Sequence, residues 1–347
     1  MALAGCGSSE IGTTSRAAKR PSPQAGSPAH LPASQAPFRF FATTSVWNQP
    51  VASTEQLDPE SPQMVQALSS QAAEEEQLGD GPWIDTTFYS VPIYTVPSDQ
   101  ATVRVELVER YDAALSEAWS AVPLPPTASP AAGTDGELVV WQPSTDKLWE
   151  FWRMVHKASG GWQASWGGAI DHVSTSSGIY SSAAWPGAKP WWGASASSLS
   201  LAGGLVTVED LQRGQINHAL AIGVPDVRAG IYASPAQRDD GRSSNPLSLP
   251  EGAHLRLDPS LDLTSLHLPK LTLMLAEAAQ RYGIYVRDYS SVIAFFAQDP
   301  ISMEREPYKG TAGYFEDQYP YELLKHFPWP YLEVSKLEVH PYHPGSL

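Results

Sequence analysis

Two strand-patterned runs, Glu137-Leu-Val-Val-Trp141-Gln142 and Lys147-Leu-Trp149-Glu150-Phe-Trp152, are separated only by Pro143-Ser-Thr-Asp146. Aromatic and β-branched residues fit a pleated, half-buried surface. Four polar turn formers between them close a β-hairpin, which holds in water only within a larger sheet or against other elements. With Gln142 opposite Lys147, Val139 faces Glu150 and Glu137 faces Trp152. Leu138, Val140, Trp149 and Phe151 then share a core face, because side chains of one parity point the same way. Glu137, Trp141, Leu148, Glu150 and Trp152 share the other.

Further strands are expected at 87–96, 103–107, 161–166, 216–224, 254–257, 284–288 and 292–297, with the hairpin's second strand running 147–155 and a last strand near Phe327–Val334. Helices are expected at 61–77, at 208–213 after the N-cap Thr207, and at 269–282 between Pro269 and Gly283. Strands do not alternate with helices, which argues against a parallel βαβ sheet. The expected fold is mainly β: a jelly-roll-like β-sandwich with a few peripheral helices, occupying residues 37–347 as a single domain.

A net charge of −15 disfavours a nucleic-acid partner, since phosphate backbones call for a basic surface. One cysteine in 347 residues excludes an intrachain disulfide and a cysteine-rich metal centre. That residue, Cys6, closes Leu3-Ala4-Gly5-Cys6, a bacterial lipobox pattern, so residues 1–6 read as the remnant of a lipoprotein signal and Cys6 as the lipidated residue. Only Met1-Ala2 precede the motif, less than the apolar stretch a signal peptide needs. Residues 7–36 carry almost no large apolar side chain and read as a disordered tether. The expected location is extracellular, on the outer face of the cytoplasmic membrane, with membrane contact only through the lipid.

Two carboxylates among indoles are unusual on a solvated face. Glu137 and Glu150 would be diagonal neighbours about 7–8 Å apart at the backbone. Paired carboxyls perform glycoside hydrolysis, retaining at about 5–5.5 Å and inverting at about 6.5–9.5 Å. Trp141, Trp152 and Trp166 would supply flat faces for sugar rings. Asp171, after Gly167-Gly168, and His218, among Ile216, Leu220 and Ile222, are further acid/base candidates. Each also has a structural reading, as a turn former and a core imidazole. The 176–198 loop carries Tyr180, Trp185, Trp191 and Trp192, either as a wall over a groove or as rings packed onto the fold. No cofactor is implied. The Asp239-Asp240-Gly241-Arg242 turn leaves a structural Ca2+ open but lacks the ligand spacing of an EF-hand.

The segments Ser45-Val-Trp47-Asn-Gln-Pro50, Asp135-Gly136 through Trp152, Trp166-Gly-Gly168, Ile216-Asn-His218-Ala-Leu220, and the helix leading into Gly283-Ile-Tyr-Val-Arg287-Asp288 resemble an uncharacterised group of secreted actinobacterial proteins. The likeness spans most of residues 41–332. It implies a bacterial, extracellular setting and lends no catalytic residue. Glu137 stands where His is expected in that group, which counts against a Glu137–Glu150 pair. The expectation is an exported enzyme acting on a polysaccharide or oligosaccharide, a glycoside hydrolase using Glu137 and Glu150. The close variant is a polysaccharide lyase in which His218 or Tyr180 removes a proton and Arg153 helps hold an anionic substrate. The alternative is a non-catalytic glycan-binding cell-surface lipoprotein.

Overall fold

The computed structural model describes residues 39–109 and 111–342. The lipobox with Cys6, the 7–36 segment, Phe38 and His343 lie outside the described residues. Strand outweighs helix, 24% to 20%, so the chain is mainly β, and no sheet closes into a barrel among the described residues.

The hairpin forms in the expected register, Gln142 opposite Lys147 and Val139 opposite Glu150. Trp166–Asp171 adds antiparallel to its second strand, placing Trp152 across from Trp166 and Glu150 across from Gly168. Ile93–Thr95 adds in parallel to its first strand and completes a four-stranded sheet. A second sheet has six strands in the order Trp83–Asp85, Ala294–Phe296, Leu220–Val224, Ile284–Tyr289, His254–Leu257 and Leu332–Val334. Sheets of three and two strands complete the fold.

Two apolar cores follow from this division. One surrounds the four-stranded sheet with Trp47, Trp119, Trp149, Phe151, Tyr180 and Trp192. The other lies beneath the six-stranded sheet, where helices Ser61–Leu78 and Lys270–Arg281 contribute Met64, Leu68, Leu271 and Leu275. Thr207 caps Val208–Arg213 through a capping box with Asp210, and no helix among the described residues is long and apolar enough to cross a membrane.

Several expectations shift. The six-stranded sheet is mixed: Ile284–Tyr289 runs parallel to Leu220–Val224, and Trp83–Asp85 runs parallel to Ala294–Phe296. A jelly roll pairs its strands antiparallel, and these pairs depart from that pattern. The 161–166 segment splits between two sheets, Trp162–Ala164 joining the three-stranded one. Of 87–96 only Ile93–Thr95 is strand, because the flanking Pro92 and Pro97 cannot donate to a ladder. The 216–224 strand begins at Leu220, so His218 precedes it.

One irregularity governs the site. Along Ile284–Tyr289, Val286 pairs with Ile222 and Asp288 with Gly223, leaving Arg287 as the extra residue of a β-bulge. Tyr285 belongs to the core of the four-stranded sheet and Val286 to the other. Ordinary alternation would return Asp288 to the Val286 side. The bulge resets the parity, and Asp288 instead lines the cleft described next.

Candidate active site

A cleft of about 750 Å³ opens where the hairpin's Trp152 end meets the bulged strand. Its walls carry six carboxylates, Asp85, Glu109, Asp135, Glu137, Asp240 and Asp288, against the guanidiniums of Arg238 and Arg242. Trp152, Trp166, Tyr289 and Phe296 supply rings, and Ala194-Ser195-Ala196 form part of one wall. An acidic cleft with apolar plates suits a neutral or cationic polar ligand; a polyanion would be repelled.

Glu137 sits just beyond the last hairpin pair, Leu138 with Phe151, and so beside Trp152. It is 6% exposed, and its Oε2 is buried without a hydrogen-bond partner. Burial pushes its pKa well above the usual carboxylate range. Arg287 pulls it back, and Asp288, Asp135 and Glu150 push it further up. Glu137 therefore holds its proton more tightly than an ordinary carboxyl does, at the cleft wall. Asp135 accepts a hydrogen bond from the Trp152 indole Nε1 at 3.2 Å. The backbone locks this corner: Arg153 N–H donates to Asp135 O at 2.6 Å and Met154 N–H to Gly136 O at 3.0 Å. Burial also lifts Asp288 to about 7 and Asp85 to about 8, against the pull of Arg287. Arg287 is fully buried, with its guanidinium 3.7 Å from the Phe296 ring centroid and Nη1 donating to Leu201 O.

Glu150 requires a correction. It is fully buried and is not a lining residue of the cleft. Its carboxylate accepts from Tyr180 OH at 2.7 Å, Ser200 Oγ at 2.5 Å and Ala202 N at 3.1 Å. Burial raises its pKa while these bonds oppose the rise. All of this fastens the 176–205 segment to the sheet and leaves no room for substrate. Tyr180, 1% exposed and with its pKa pushed well up by burial and by Glu150, is the other half of that clasp. The clasp depends on Gly168, where a Cβ would lie 2.4 Å from the Tyr180 ring.

The other sequence candidates scatter. Asp171 pairs with Lys147 across the strands at 2.8 Å. That is the hairpin-loop end of the sheet, five residues or about 17 Å along the strand from the Trp152–Trp166 pair. Both side chains are about a quarter exposed, 24% and 26%. Asp171→Asn is therefore expected to change stability by less than about 1 kcal/mol, as thermal melts would read directly. His218 bonds Asp210 Oδ2 through Nε2 at 3.1 Å and Ala219 O through Nδ1 at 2.8 Å. Burial lowers its pKa, but Asp210 and the Ala219 carbonyl outweigh that and leave it raised. The hollow beside it, about 20 Å³, is the size of one water and excludes a sugar ring.

Among the platforms, Trp152 and Trp166 reach the cleft as expected. Trp141 is a core residue, 7% exposed, with Phe40 edge-on at 5.7 Å. Trp191 stacks on Trp166 at 5.8 Å and Trp192 packs against both indoles, fully buried. They brace Trp166 from behind. Arg153 is exposed and lies 4.3 Å over the Trp152 ring, outside the set of residues lining the cleft. The 176–198 segment is thus folded onto the sheet as a wall.

Sequence reasoning missed Asp85, Arg238 and Asp288 as lining residues, and took Asp240 only as part of a turn that leaves a structural Ca2+ open. One local signal existed: Arg287-Asp288 are adjacent charges at the end of the otherwise apolar Ile284-Tyr-Val286 run, a pattern that a bulge can turn toward one face. No family model, curated protein or solved structure matches the chain.

Proposed function

We propose that the chain is a glycoside hydrolase acting on neutral polysaccharide or oligosaccharide, exported and anchored through Cys6. The observation that carries the reading is Glu137: a buried carboxyl whose proton is held more tightly than usual, with one oxygen lacking a hydrogen-bond partner, on the wall of a cleft plated by Trp152 and Trp166. Asp135 replaces Glu150 as its partner. In the reaction, Glu137 donates its proton to the glycosidic oxygen as the bond to the anomeric carbon breaks. Asp135 takes a proton from the water whose oxygen attacks that carbon. One water is consumed per bond, and the two carboxyls finish with their protonation exchanged, to be reset by solvent. The indoles hold the apolar faces of sugar rings and, with burial, keep Glu137 neutral.

Charge separates this from the lyase variant. A lyase must hold a uronate and neutralise its carboxylate, and of the two guanidiniums lining the cleft Arg238 is already committed to Ser198 Oγ and the Gly193 and Ser195 carbonyls, which leaves Arg242 for that task. The test is a direct comparison of neutral glucans, galactans and arabinans with pectate and alginate at equal mass. Reducing ends released from a neutral polymer and none from the uronates support the reading. Preferential cleavage of a uronate polymer overturns it.

A further inference from the structure

We propose that Asp240, Glu251 and Asp288 form a binding site for a hard divalent cation of the Ca2+ class on the cleft wall. Each residue brings a carboxylate oxygen within 4.8 Å of the others. Two oxygens on opposite sides of a Ca2+ are about 4.6–5.2 Å apart, twice the usual bond length, so the cluster has the reach of a coordination shell.

The independent observation is Glu251. It is 0% exposed, and both carboxylate oxygens are buried with no hydrogen-bond donor among the described residues. Its near polar neighbour is another carboxyl, that of Asp240, which it can hydrogen-bond only by sharing a proton. A buried carboxylate ordinarily has donors or a cation, since burial without either is strongly unfavourable. Arg238 lies within electrostatic reach of Glu251 but donates no hydrogen bond to it. Its Nε donates to Ser198 Oγ at 2.8 Å and its Nη2 to the carbonyls of Gly193 and Ser195. Arg242 lies 4.2 Å over the Tyr289 ring. Asp239, next in sequence, is likewise committed, accepting from Gly230 N and Gly241 N. The three oxygen-bearing groups come from separate stretches of chain, so an ion there ties Asp240 and Glu251 to the bulged strand at Asp288. Asp240 and Asp288 also line the cleft, so coordination positions left open would face a bound sugar's hydroxyls. That last role rests on the hydrolase reading; ion binding does not.

The test is calorimetric titration of Ca2+ into the chelator-treated full chain, with terbium luminescence as a second readout sensitised by Tyr289 and Trp166. The expected result is one equivalent bound in the range of extracellular calcium modules, about 10⁻⁴–10⁻³ M or tighter. Asp240→Asn, on an exposed residue, is expected to weaken binding at least 10-fold, and Glu251→Gln, checked for native circular dichroism, to abolish it. No binding by wild type, or equal binding by wild type and Asp240→Asn, overturns the site. Because the readout is ion binding, an inactive protein that takes up calcium as described would leave this inference standing and count only against the hydrolase.

Discussion

Glu137→Gln is expected to lower hydrolysis by about 10²–10⁴-fold, the usual contribution of a positioned general acid, while leaving saccharide binding and the fold intact. The amide keeps the volume of the protonated carboxyl and removes only the transferable proton. The substitution also has a pH signature of definite sign. A carboxyl whose folded pKa lies above its unfolded value, here 4.5, binds its proton more tightly in the folded state. Its contribution to stability is full below that unfolded value and is lost as pH rises through the folded one. Wild type should therefore lose stability as pH rises above about 4.5 toward the raised folded value, by up to about 1.4 kcal/mol per pH unit for this one proton. Glu137→Gln should flatten that slope. Wild-type activity should decline on the alkaline side as Glu137 ionises. Denaturant melts of both proteins at several pH values, with rates on one neutral polymer, read all three effects. A Glu137→Gln protein with wild-type turnover would remove Glu137 from the chemistry.

Gly168→Ala is expected to have the largest effect on stability. The new methyl would stand 2.4 Å from the Tyr180 ring, across the ladder from Glu150. Tyr180 must then leave its place, and the fully buried Glu150 loses one of its hydrogen-bond donors. Overpacking costs about 1–3 kcal/mol, and a weakened bond to a buried charge about 1.5–3 more. The combined loss of roughly 2.5–6 kcal/mol corresponds to a Tm lower by about 4–10 °C. Tyr180→Phe keeps the ring beside Gly168 and removes only the hydroxyl, so it should lose about 1.5–3 kcal/mol. If Gly168→Ala melts with wild type, the Tyr180–Glu150 clasp does not hold the 176–205 segment.

The contrast between Glu137 and Glu150 shows what the sequence could and could not reveal. Hairpin register was legible because turn length and alternation set it locally, and Val139 does face Glu150. Three helices were legible too, 61–77 from its apolar face and the other two from Pro, Gly and capping residues at their ends, whereas Ala113–Ala118, as long as Val208–Arg213, was not. Which carboxyl meets solvent depends on what covers the second face, and that is decided by residues 50 positions away: Ser200 and Ala202 close over Glu150 while Glu137, past the end of the pair, stays at the cleft. Trp141 and Trp166 carry the same side chain, yet only Trp166 lies at the open end of the sheet. Asp288 was hidden by its parity, which the bulge at Arg287 reverses. Glu251 and Asp240 are joined to it only by tertiary structure. Local pattern therefore located one side of the cleft, and long-range packing supplied the other.

The most direct measurement is product analysis of wild-type protein incubated with neutral cell-wall polysaccharides in 18O-labelled water. Hydrolysis with Glu137 as the acid gives new saturated oligosaccharides carrying one 18O at each new reducing end, in a yield about 10²–10⁴-fold lower from Glu137→Gln. Unsaturated ends, or products identical in yield from the two proteins, would contradict it. So would the absence of any product while a glycan saturably quenches tryptophan fluorescence, a result that would make the cleft a binding site alone.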